Sequence, residues 1–76
     1  MSLFPAFRAV LAPDVTDART EALESDIRAL KGVVQVAFNQ SAAGEKYLHV
    51  TCMPGQGVER KVAAMAGVSR TQSAPF

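Results

Sequence analysis

Tyrosine, histidine and cysteine each occur once in this 76-residue chain, and all three fall in one short stretch, as Tyr47, His49 and Cys52. A histidine and a cysteine three residues apart invite a metal site, since both are common ligands of zinc. The stretch Tyr47-Leu-His-Val-Thr-Cys52, however, alternates as a strand does, with Leu48, Val50 and Cys52 on one face and Tyr47, His49 and Thr51 on the other. The odd separation sends His49 and Cys52 to opposite faces, so no metal and no cofactor is expected. Cys52 reads instead as a small apolar core residue. His49 with Tyr47 could serve as an acid or base in a dimeric pocket. No carboxylate is clearly placed beside them, and the chain has no Ser/His/Asp order and no phosphate loop.

The elements that would hold these residues can be read in order. Phe7, Ala9 and Leu11 alternate with Arg8 and Val10 in a half-buried first strand that Pro13-Asp14 ends. Thr16 is placed to cap a helix with Asp17 in its first turn. Thr20, Leu23, Ile27 and Leu30 form its apolar stripe, and Gly32 is expected to close it. A second strand follows, with Val34, Val36 and Phe38 inward and Gln35, Ala37 and Asn39 outward. The small-residue turn Gln40–Gly44 joins it to the Tyr47–Cys52 strand as a hairpin. A second helix begins near Val58, with Val58, Val62 and Met65 on one side, and runs to Gly67. Val68 to about Ala74 is a weak, polar last strand suited to a sheet edge.

Ile27-Arg-Ala-Leu-Lys-Gly-Val33 and Val62-Ala-Ala-Met-Ala-Gly-Val68 are two copies of one device, a helix end turning into a strand. Two β-α-β units folded together give the split β-α-β arrangement. The expected fold is therefore α+β, a ferredoxin-like βαββαβ sandwich. A four-stranded antiparallel sheet carries both helices on one face, in a single domain spanning residues 1–76 with an ordered core of about 6–74.

On those residues, Leu30-Lys-Gly-Val-Val-Gln-Val-Ala-Phe-Asn39 followed by a turn and Tyr47–Cys52, the chain resembles the middle of a heavy-metal-associated domain. It is equally similar to ACT and RAM regulatory domains and to small nitrate-reductase maturation chaperones. Heavy-metal-associated domains bind through a Cys-x-x-Cys after the first strand, where this chain reads Ala12-Pro-Asp-Val-Thr16. The resemblance to ACT domains, which bind amino acids at that loop, makes Asp14 and Thr16 ligand-loop candidates. Taken by themselves, the same two residues simply cap the helix.

Bulk composition narrows the function classes. Eight basic and seven acidic residues are scattered, leaving a net charge of +1 and no basic run of the kind that marks nucleic-acid or anionic-membrane partners. No apolar stretch approaches the ~20 residues of a bilayer span. The start of the chain lacks a signal-peptide pattern, and a lone cysteine cannot close an internal disulfide, so a cytoplasmic location is expected. Abundant alanine, with five arginines to three lysines, points to a GC-rich bacterial or phage source.

Of the apolar residues, 13 are alanine and 24 are larger, a light core for a monomer. The helix-free face would carry Arg8, Val10, Gln35, Asn39, Tyr47, His49 and Thr51, with Ala37, Arg70 and Gln72 beside them. These are the expected binding residues. The reading that follows is a small non-enzymatic interaction or regulatory module, self-associating through this face or by edge pairing of the last strand. Its partner is a second copy or another protein, with no membrane partner. The alternatives are an RNA- or single-strand-binding module on the same face and a small dimeric enzyme with His49 as its acid or base.

Overall fold

The computed structural model describes residues 4–73. Its elements are β1 (Ala6–Leu11), α1 (Asp17–Arg28), β2 (Val33–Gln40), β3 (Lys46–Cys52), α2 (Val58–Ala63) and β4 (Val68–Ser73). The strands form one antiparallel sheet in the order β2-β3-β1-β4, and the fold is the α+β ferredoxin-like one. Ala74, the expected end of the last strand, lies outside the described residues. None of the described helices is long and apolar enough to cross a membrane.

Capping starts α1 as its residues require. Thr16 is extended, and its Oγ1 accepts from the Arg19 N–H at 3.1 Å. Leu23 and Ile27 are fully buried against the sheet, where Phe7, Ala9, Leu11, Leu48, Val50 and Cys52 meet them, with Val58 and Val62 from α2. Both helices are shorter than the sequence pattern predicts. α1 ends at Arg28 and α2 at Ala63, and in each case a non-helical turn carries the chain on to glycine.

The repeated device of the sequence recurs bond for bond in these turns. Leu30 N–H donates to the Ile27 carbonyl and Val33 N–H to that of Leu30, while Met65 donates to Val62 and Val68 to Met65. Gly32 (φ +96°) and Gly67 (φ +97°) sit in the left-handed region. The Gly32 carbonyl accepts from Met53 N–H at 2.7 Å and the Gly67 carbonyl from Ala12 N–H at 2.9 Å. Each glycine thus pins the start of one strand to the end of its neighbour. Arg8 with His49 is the middle pair of the β1–β3 register, between these two ties.

A second matched pair of features corrects the expected facing of β2. Val33 pairs with Cys52 and Gln35 with Thr51, which leaves Val34 as an extra, bulged residue. Ser69 is left over in the same way between Val68 and Arg70. The bulge turns Val34 out of the core, to 50% exposure, and Val33 packs inward instead. Phe38 keeps its helix-side register, opposite Leu48, but stays 45% exposed because β2 is an outer strand.

A Cβ added at Gly32 would lie 2.6 Å from Gln56 Cγ, on top of the left-handed backbone strain. Gly32→Ala is therefore expected to destabilise the fold by about 1–3 kcal/mol. Pairing it with Gln56→Gly should recover the steric part only. Urea denaturation of the single and double variants measures both.

Candidate functional site

The helix-free face is laid out by the strand register. One row across β2, β3, β1 and β4 reads Asn39, Tyr47, Val10, Arg70; the next reads Ala37, His49, Arg8, Gln72; the third begins Gln35, Thr51, Ala6. The ten residues that alternation assigns to this face are therefore brought together on it. At its centre the Arg8 guanidinium carbon lies 4.7 Å from the centroid of the Tyr47 ring, a diagonal cation–π contact between neighbouring strands. His49 is Arg8's direct cross-strand neighbour, and Tyr47, His49 and Thr51 are all half-buried.

Val10 departs from expectation. It belongs to this face yet is only 4% exposed, so it forms the floor of the site and not a contact residue. Tyr47 and Arg70 flank it on the adjacent strands, and Arg70 Nη2 reaches Glu45 Oε2 at 3.3 Å, bridging the two sides of β1. Glu45 and Arg70 wall a shallow groove of about 470 Å³ above Val10, together with Ala12, Pro13, Lys46 and Ser69. Glu45 was not a candidate from sequence, since its nearness to Arg70 depends on a register across three strands.

The ligand-loop candidates are not drawn into either groove. Asp14 is exposed and Thr16 spends its hydroxyl on the helix cap, and the groove beside that loop is walled by Ala12 and Pro13 instead. Cys52 is buried on the helix side, opposite in facing to His49, as the odd spacing requires. It borders a second groove of about 540 Å³ at the other end of the sheet, with Phe7, Met53, Val58, Glu59 and Ser73. Glu59 there accepts hydrogen bonds from Thr71 Oγ1 at 3.0 Å and Ser73 Oγ at 2.8 Å, tying α2 to β4. Burial, and secondarily the negative charge of Glu59, pushes the Cys52 thiol above its ordinary pKa.

In chemical terms the helix-free face offers a stacked guanidinium, an imidazole and several amide and hydroxyl groups on a rigid sheet. One face of the Tyr47 ring is already taken by Arg8. Comparison with protein-family models, curated proteins and solved structures finds no match to this chain.

Three outcomes follow from this geometry. A double-mutant cycle on Arg8→Met and Tyr47→Leu, read by denaturation, should give a coupling of about 0.5–1 kcal/mol. Cys52 should label slowly with a thiol reagent near neutral pH, and faster in Glu59→Gln. Because the folded thiol holds its proton to higher pH than the unfolded one, stability should fall as pH rises past the ordinary thiol range. That part of the alkaline loss should be missing in Cys52→Ala.

Proposed function

We propose that this chain is a small non-enzymatic interaction module that associates with itself through the surfaces its two helices leave uncovered. The observation that carries this reading is the one-sidedness of the burial. The largest fully buried side chains, Phe7, Leu23, Ile27, Leu48, Val50 and Val62, all belong to the layer between helices and sheet. The opposite face holds half-buried and largely neutral groups such as Ala37, Tyr47, His49 and Thr51. An antiparallel sheet open on one side can be solvated, but it can also seat a second copy, and most soluble oligomers are built from copies of one chain.

The resemblance to ACT- and RAM-type domains supports a regulatory role for the module, with the partner a second copy or another protein. The single buried thiol fits a reducing, cytoplasmic setting. Analytical ultracentrifugation over a wide concentration range tests the central statement. A concentration-dependent dimer is expected for the wild type, and a strictly monomeric protein at the highest concentration would overturn it. Salt-sensitive retention on single-stranded nucleic acid, lost in Arg8→Ala, would replace it with a nucleic-acid-binding reading.

A further inference from the structure

The outer edge of β2 stands apart from the rest of the surface. β2 is the longest strand, eight residues (Val33–Gln40), and it contains no charged side chain and no proline. Soluble domains guard exposed sheet edges with lysine, proline or a covering element, because bare N–H and C=O groups recruit further strands. The opposite edge is guarded: β4 carries the exposed Arg70, and its Thr71 and Ser73 are tied to Glu59. Four large apolar side chains are exposed among the described residues, and two of them, Val34 and Phe38, lie on β2. The Val36 carbonyl is turned to this edge, where Arg28 Nη2 reaches it at a long 3.4 Å. Alternation along the strand turns the N–H and C=O of Phe38 the same way.

We infer that this edge receives a second copy of the chain, added antiparallel about a twofold axis at Ala37, so that two four-stranded sheets join into one of eight strands. Val36 of each copy then exchanges backbone hydrogen bonds with Phe38 of the other. The two side chains meet on the helix side, giving Phe38 an apolar neighbour on its outer flank to match Leu48 on its inner one. Ala37 faces its counterpart across the axis as a non-hydrogen-bonded pair, the position of closest approach, where a small side chain fits best.

The occupant is a copy because the surroundings complement themselves. Beside this edge α1 carries the ion pair of Glu24 with Arg28, 3.5 Å apart and both accessible to solvent. A twofold axis sets Glu24 of each copy towards Arg28 of the other, so Arg28 leaves the Val36 carbonyl for a carboxylate as the partner strand arrives. With no charge on β2 itself, two copies meet without repulsion. This inference rests on the self-association proposed above, but seats it on the outer edge of β2 and not on the helix-free face.

Ultracentrifugation of wild type, Phe38→Lys and Tyr47→Ala tests it, with circular dichroism confirming that each variant folds. The lysine guards the edge from a half-exposed position, and the dimer dissociation constant should rise on the order of tenfold or more. A dimer weakened by Tyr47→Ala and not by Phe38→Lys would put the contact on the helix-free face and overturn the edge geometry. Hydrogen exchange of the unmodified protein gives an independent reading, with the Val36 and Phe38 amides becoming more protected as concentration rises. A wild-type dimer that survives Phe38→Lys, or whose β2 amides stay unprotected, would overturn the edge geometry while leaving self-association standing. A wild type that never dimerises would overturn both.

Discussion

Two backbone hydrogen bonds, from Met53 N–H to the Gly32 carbonyl and from Ala12 N–H to that of Gly67, hold the places where each helix unit hands the chain back to the sheet. Both depend on a left-handed backbone that only glycine adopts without strain. The space above each glycine is already taken, by Gln56 at Gly32 and by Val15, Arg19 and Leu23 at Gly67. Once these turns are set, the start of β2 is fixed against the end of β3 and the start of β4 against the end of β1. The register of the sheet, and hence the content of each face, follows.

The same turns explain the bulges. A strand leaving a left-handed glycine on the helix side must bring Val33 or Val68 into the core, yet still match the alternation of its partner farther along. One surplus residue reconciles the two phases, and in each half it sits immediately after that valine, at Val34 and at Ser69. On β4 the surplus residue is a serine. On β2 it is a valine, and that substitution at an otherwise equivalent place puts apolar surface on the outer edge.

Much of this was legible in the residues. Alternation in Phe7–Leu11 and Tyr47–Cys52 identifies the two central strands and their facing, because both are flanked by neighbours and carry one fully buried row. The helix-end repeat identifies the topology. What stayed hidden depends on relations between distant segments. The bulge at Val34 is invisible in the run Val33-Val34, since either valine suits a buried position until the Gly32 tie is known. Val10 reads as outward by alternation, and it is, but its burial comes from Tyr47, Arg70 and Glu45, which reach it only through the register of three strands.

The light core, read at first as a shortage of apolar side chains, is better described as a matter of placement. Ala9 and Cys52 leave the layer under the helices thin but complete, with no buried polar or charged residue among those described. Two of the four large apolar groups that stay exposed among the described residues, Val34 and Phe38, occur on β2, a strand without charge, beside the Glu24–Arg28 pair of α1. A solitary domain gains nothing from leaving its longest strand unguarded, because every such edge is open to aggregation. An edge without charge of its own, touched only by Arg28 at the Val36 carbonyl among the contacts described, is better accounted for by a specific pairing, which protects the backbone groups that lysine or proline would otherwise have to shield.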